Sequence, residues 1–272
     1  MMIIDAHLHL SDHEYMTRSA REAGHENAPE HLARVFADEG IGAAVAMGGD
    51  GLGLAAAGVR VFYCASVRGE KLDTDAAAEL ERAEKCLAEP DCAGLKLYPG
   101  YDYRYPADKD FLPFYELAGG YGKPVVFHTG DTAGDRGLVK YAHPLGVDEV
   151  AVKFRNTRFV LAHCGNPWIA DAVEIAAKND NAALDLSGLA VGNFDADELY
   201  SRCEAYWKYL RMWIEYLADD SKIMYGSDWP LVNVHAYLKL LRRVVPERMH
   251  EAFFSGTARR IFRLPELAPQ DK

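Results

Sequence analysis

The sequence has few cysteines, and it contains no long apolar run. Five cysteines among 272 residues are an odd number, widely spread and without a CxxC pair, which indicates reduced thiols in a cytosolic protein. No apolar run approaches the roughly 20 residues of a membrane-spanning helix. The start also lacks the basic and apolar regions of a signal peptide. We therefore expect a cytoplasmic protein that makes no contact with a membrane.

Basic residues are outnumbered by acidic ones. The 30 Lys and Arg against 41 Asp and Glu give a formal charge of −11, which argues against a nucleic-acid partner, since phosphate contacts need clustered cations. The densest basic pairs, Arg242-Arg243 and Arg259-Arg260, lie in amphipathic segments and are expected to face solvent. A small-molecule substrate is the expected partner, and either a monomer or a homodimer is compatible with this surface.

The pattern that is present is an alternation of short apolar stretches with amphipathic segments. Eight predicted strands cover residues 3–9, 42–47, 60–67, 93–98, 124–128, 158–163, 182–186 and 222–225. The clearest predicted helices cover residues 29–39, 75–87, 111–121, 148–154, 168–179, 205–218, 236–245 and 247–262. Asn27 or Ala28 before Pro29 is typical of a helix start, and Gly40 of a helix end.

Eight such units predict an α/β fold, a single (β/α)₈ TIM barrel domain over residues 1–272. The alternative is a doubly wound open sheet. A dinucleotide-binding version of that fold would place a glycine-rich phosphate loop after the first strand, and this chain has none there.

The first strand ends in two histidines separated by one residue. Because side chains alternate along a strand, His7 and His9 point to the same side, about 6.6 Å apart along the backbone. Two imidazoles at this spacing can converge on one metal ion at about 2.0–2.1 Å each. The alternative is a pair of structural histidines without a ligand.

Polar residues also stand at or near the ends of four further predicted strands. Catalytic residues of such barrels lie at the C-terminal strand ends, where this chain has Lys96, His128, His163 and Asp228. Each has a plainer interpretation on its own. His128 and His163 could be structural, Asp228 could begin a turn, and Lys96 could form an ion pair with a carboxylate. Together they favour a metal centre at the C-terminal ends of the strands.

These motifs resemble the amidohydrolase superfamily, in particular its amidohydrolase-related branch of metal-dependent hydrolases. The resemblance spans nearly the whole chain and is carried by four sequence runs besides the paired histidines. They are residues 94–99 (GLKLYP), 127–130 (FHTG), 225–230 (YGSDWP) and 255–264 (SGTARRIFRL).

The resemblance implies one or two divalent ions, with zinc expected and manganese as an alternative. His7, His9, His128 and Asp228 would hold the metal, and His163 would bind a second ion or contact the substrate. In relatives with two metals a carboxylated lysine on strand four bridges them, and Lys96 lies on that strand.

The expected chemistry is hydrolysis of an amide, ester or lactone by a metal-activated water. Asp228 would act as general base, and His163 would polarise the scissile carbonyl. The alternative is non-oxidative decarboxylation of an unsaturated or aromatic acid, which relatives perform on the same scaffold. A third interpretation is a barrel that binds metal or ligand without chemistry.

The loops after the strands are expected to carry specificity. Aromatic walls with one or two cationic groups suit a small substrate that bears a carboxylate or a ring. We expect substrate contacts from Tyr98, Arg136, His143 and Trp168.

Overall fold

Eight parallel strands form the centre of the computed structural model, which describes residues 2–48 and 59–266. They are β1 (Ile3–Leu8), β2 (Ile41–Met47), β3 (Arg60–Ser66), β4 (Cys92–Leu97), β5 (Val125–Phe127), β6 (Phe159–Leu161), β7 (Ala182–Asp185) and β8 (Ile223–Met224). All eight lie within a residue or two of their predicted positions.

The sheet follows chain order from β1 to β8 and curls into a nearly closed barrel. The chain that follows β8 returns to β1. Asp228 N donates to His7 O at 2.7 Å, and His9 N donates to Trp229 O at 2.7 Å. The prediction of a (β/α)₈ TIM barrel is therefore confirmed, and the open sheet is excluded.

Helices connect the strands on the outside of the barrel. In chain order they are α1 (Glu14–Glu22), α2 (Pro29–Glu39), α3 (Gly69–Ala88), α4 (Pro99–Asp102), α5 (Leu112–Gly120), α6 (Val139–Ala142), α7 (Leu145–Lys153), α8 (Ile169–Lys178), α9 (Ala196–Arg202), α10 (Glu204–Leu217), α11 (Val234–Val244) and α12 (Thr257–Phe262). In the described ranges, no helix is both long and apolar enough to cross a membrane.

Two helical predictions differ from the structure in instructive ways. α1 was not predicted, because the residues that it buries, Ser19 and Ala20, are small and include no large apolar side chain. The expected terminal helix over 247–262 is divided into a 3₁₀ turn (Glu247–Met249), a π-helical turn (Ala252–Gly256) and α12. By contrast α2 has its predicted bounds, and Gly40 ends it with φ 71°.

The buried side chains form two separate clusters. One lies between the sheet and the helices and includes Leu95 and Leu97 of β4. The other fills the barrel and includes Val126 of β5, with Ile261 and Phe262 of α12 in the same cluster. α12 therefore packs against the barrel interior, while the metal-ligand residue types collect at the carboxyl ends of the strands.

Candidate metal centre

The paired histidines of β1 meet Asp228, four residues beyond β8. His9 Nε2 lies 3.2 Å from Asp228 Oδ1, and His7 Nε2 lies 3.6 Å from the same oxygen. These three residues offer ligand atoms within 4.8 Å of one another. No other group of three or more His, Cys, Asp or Glu residues in the described ranges is gathered as closely.

A bulge in β1 is what points both histidines into the barrel. Between Asp5 and Leu8 the strand advances three residues while β2 advances only two, from Ala44 to Ala46. Such an extra residue re-aims the side chains that follow it. Ala6 belongs to the interior cluster and Leu8 to the outer one, so the residues that flank Leu8 face inward.

Asp228 is held in a backbone conformation that non-glycine residues rarely adopt. Its φ is 66°, in the left-handed region, and such strained residues cluster at functional sites. The space beside it is left by Gly188, because a Cβ there would lie 2.5 Å from Asp228 Oδ2. Burial raises the pKa of Asp228, but the neighbouring imidazoles of His9, His163 and His7 bring it below its usual value.

Asp185 at the end of β7 orients this site, and the sequence interpretation missed it. Its Oδ2 accepts from His7 Nδ1 at 2.9 Å, and its Oδ1 accepts from the backbone N–H groups of His163 and Ser187 at 3.0 Å each. A histidine that donates through one nitrogen presents the lone pair of the other, the usual arrangement behind a metal ligand. The sequence does contain a signal for Asp185, because a charged residue at the end of an apolar strand also identified Lys96 as a candidate site residue.

The donor set fits a divalent metal ion. His7 Nε2 and Asp228 Oδ1 are buried, yet neither forms a hydrogen bond within the described residues. Burial, with a smaller effect of Lys96, lowers the pKa of His7 to about 3, so its imidazole is neutral and free to ligate. Two imidazole nitrogens and one carboxylate oxygen form a catalytic zinc set that leaves a position for water.

His128 and His163 lie beside the three-residue cluster and contact each other. His163 Nε2 lies 3.1 Å from His128 Nδ1, and His128 Nε2 donates to Asp131 O at 2.9 Å. His163 Nδ1 is 3.0 Å from both the carbonyl oxygen and the hydroxyl of Ser187. β6 ends at Leu161, so His163 stands in the following 3₁₀ turn with φ 60° rather than at the strand end.

Lys96 is fully buried inside the barrel, and its ammonium group has no partner among the described residues. Its neighbour in register on β5 is Val126, a member of the interior cluster. Lys96 Nζ forms no hydrogen bond or ion pair with the described residues, and it lies 5.2 Å from the ring centroid of Tyr98. An ion pair with a carboxylate of the described residues is therefore not formed. Burial lowers the pKa of Lys96 to about 8.

Sequence comparison places this site in a known family. A profile of the amidohydrolase family matches residues 4–264. The chain belongs to the amidohydrolase family. Membership makes this amidohydrolase an enzyme of a metal-dependent family that contains hydrolases and related decarboxylases. No curated protein sequence matches it significantly.

Solved structures share its fold at low sequence identity. A zinc-bound amidohydrolase from Burkholderia multivorans is 18% identical, with TM-score 0.71 over 97% of this chain and 100% of that one. A probable 2-pyrone-4,6-dicarboxylic acid hydrolase from Acinetobacter baumannii, with citric acid bound, is 15% identical, with TM-score 0.65 over 97% and 100%. A 5-carboxyvanillate decarboxylase from Sphingomonas paucimobilis is 14% identical, with TM-score 0.62 over 97% and 99%.

Of the four predicted substrate contacts of this amidohydrolase, Tyr98 is placed beside the site, with its ring centroid 6.0 Å from that of His128. His143 and Trp168 contact each other, with ring centroids 4.6 Å apart. Arg136 is exposed, and its carbonyl oxygen accepts from Tyr103 Oη at 2.6 Å. Substrate contacts by these four residues stay predictions.

Proposed function

We propose that this amidohydrolase is a hydrolase that cleaves an amide, ester or lactone bond of a small molecule with a metal-activated water. The observation that carries the proposal is the buried group of His7, His9 and Asp228, whose inward atoms His7 Nε2 and Asp228 Oδ1 lack hydrogen bonds. Zinc is the proposed ion, manganese the alternative, and the number of ions is one or two. A divalent ion at such a set supplies a water whose pKa is lowered to about 7.

Asp228 is the proposed general base. Its Oδ1 faces both β1 histidines, and its lowered pKa keeps it in the ionised form that a general base requires. The proton then passes to the leaving group. A protein that only binds a ligand has no use for such a base, which disfavours the non-catalytic interpretation.

His163 is the proposed donor to the scissile carbonyl oxygen, where negative charge develops. The Ser187 carbonyl oxygen, 3.0 Å from His163 Nδ1, can only accept a hydrogen bond, so Nδ1 is the nitrogen that holds the ring in place and Nε2 is the nitrogen left for a substrate. His163 Nε2 lies 3.1 Å from His128 Nδ1. His128, which lies beside the group of His7, His9 and Asp228, is proposed to be a further metal ligand.

Decarboxylation of an unsaturated or aromatic acid is the second candidate. The fold is shared with the decarboxylase from S. paucimobilis as well as with the probable hydrolase from A. baumannii. The proposed substrate in either case is a small molecule with a carboxylate or a ring, because aromatic residues such as Tyr98 and Tyr101 lie against His128.

A substrate panel separates the two reactions. Zinc- or manganese-loaded protein is incubated with lactones, esters and amides of small carboxylic acids, and separately with aromatic acids whose CO₂ release is followed. We expect hydrolysis in the first set, loss of it in Asp228→Asn, and no CO₂ in the second. CO₂ release without hydrolysis would replace the proposal with the alternative, and inactivity towards both sets would contradict both.

A further inference from the structure

Lys96 is the buried charge that neither the fold nor the metal set accounts for. Its side chain is fully buried, and its Nζ has no hydrogen-bond partner in the described residues. A buried ammonium without a partner is costly, and few native groups are left in this state without a reason. The Tyr98 ring at 5.2 Å offers a cation–π contact, which is a weak replacement for an anion.

The carboxylates of the site are already engaged elsewhere. Asp185 and Asp228 are the carboxylates whose charges act most on Lys96. Asp185 is bound to His7 Nδ1 and to backbone N–H groups, and Asp228 faces the two β1 histidines. A divalent ion held there would add two positive charges, and among the described residues no anion contacts Lys96.

The side chains near Lys96 have the chemistry of a small-molecule binding position. The Tyr98 ring is near both Lys96 and His128, and the His128 ring centroid is 4.7 Å from that of His163. An aromatic wall, histidine donors and one ammonium group suit an anionic group attached to a ring or a short carbon chain. A carboxylate is the group that could accept from the unsatisfied Nζ.

We infer that Lys96 binds a carboxylate of the substrate as its ammonium form and so makes the enzyme selective for small carboxylic acids. This inference rests on the proposed function, since it names the substrate class of the same site. Lys96 is accordingly a specificity residue whose role differs from that of Asp228. Asp228 transfers the proton, and Lys96 binds the anionic group. The alternative is that CO₂ carboxylates Lys96 to a carbamate that bridges two metal ions.

The test measures binding rather than turnover. Benzoate and succinate, each beside its neutral amide, are titrated calorimetrically into the protein as purified and into chelator-treated protein. We expect carboxylates to bind more tightly than amides, and Lys96→Met to lose about ten-fold or more of carboxylate affinity with amide affinity unchanged. Lys96→Arg should retain part of the preference. Lys222→Met is the matched control, a buried lysine away from the site, and should bind as wild type does.

The outcomes separate the inference from the proposed function. Equal carboxylate affinity in wild type and Lys96→Met, or no carboxylate binding to wild type, would overturn the inference even if hydrolysis is found. A native intact mass with one added CO₂ per chain that is absent from Lys96→Met would overturn it in favour of the carbamate. Selective loss of carboxylate binding without any hydrolysis would support Lys96 and contradict only the proposed reaction.

Discussion

Two buried lysines at opposite ends of the barrel show what distinguishes its two faces. Lys222 stands immediately before β8, at the amino ends of the strands, and its Nζ donates to Ala176 O at 2.6 Å and Asn179 O at 3.1 Å. Lys96 stands near the carboxyl end of β4, and its Nζ has no hydrogen-bond partner among the described residues. At one end the protein satisfies its buried ammonium group, and at the other it leaves the group for something else to bind.

The same contrast extends to the metal-ligand atoms. His7 Nε2 and Asp228 Oδ1 at the carboxyl ends lack hydrogen bonds, as Lys96 Nζ does. Stability alone would favour satisfied or apolar side chains at these positions. Asn179 Oδ1 and Asn181 Oδ1, before β7, are also unsatisfied, but barrel enzymes keep their chemistry at the carboxyl face, so the three atoms there lie where a metal ion and a substrate are expected.

The largest predicted effect is on turnover at the carboxyl face. In Asp228→Asn we expect kcat to fall about 10²–10⁴-fold with metal retained, because the amide cannot accept the proton from water. The matched control is Asp219→Asn near the amino end of β8, where the carboxylate only accepts from Ser221, and its kcat should be unchanged. Near-normal turnover of metal-loaded Asp228→Asn would contradict the role of Asp228 as general base.

The next effect concerns metal affinity. Asp185→Asn should bind zinc about 10–100-fold more weakly, since the carboxylate that orients His7 through Nδ1 is lost. Competition with a chromophoric chelator measures this affinity. Asp148→Asn, which breaks a contact with Lys178 on the outer helices, should bind zinc as wild type does. If both variants bind equally well, Asp185 does not support the metal site.

The two lysines give opposite predictions for stability. Lys222→Met should lower the free energy of unfolding by about 1–3 kcal/mol, because two buried carbonyl oxygens lose their donor. Lys96→Met should leave it unchanged or raise it, because an unsatisfied buried charge is removed. Urea unfolding of both variants measures the difference. Equal losses would mean that the two lysines play the same structural role.

The smallest effect is expected at Ser187. Its hydroxyl lies 2.5 Å from Asp185 Oδ1 and 3.0 Å from His163 Nδ1. Ser187→Ala should lower kcat about five-fold with metal content unchanged, corresponding to one neutral hydrogen bond of about 1 kcal/mol that orients His163. Steady-state kinetics and elemental analysis together check this. If the variant loses metal instead, Ser187 orients the metal ligands rather than His163.

The sequence predicted the parts of the site that depend on local patterns. Apolar strands and the alternation around His7 and His9 required only the nearest neighbours in sequence, and the barrel followed from the repeat of such units. The role of Asp185 could not be predicted in this way, because its partner His7 is 178 residues away. The bulge in β1 could not be predicted either, because it depends on how β1 pairs with β2 and corresponds to no local sequence pattern. A single domain and a cytoplasmic location stay predictions.

The central claim is that His7 and His9 hold a metal ion, and metal content per chain tests it most directly. Protein purified without chelator is loaded with zinc, desalted and measured by elemental analysis, alongside His7→Ala/His9→Ala and His25→Ala/His31→Ala. The second pair is the control, because His25 Nδ1 and His31 Nε2 also lie close together, at 3.1 Å, yet belong to no metal-ligand group within the described residues. We predict at least one zinc per chain in wild type and control and almost none in the first variant. Equal zinc in all three, or none in wild type, would contradict the account.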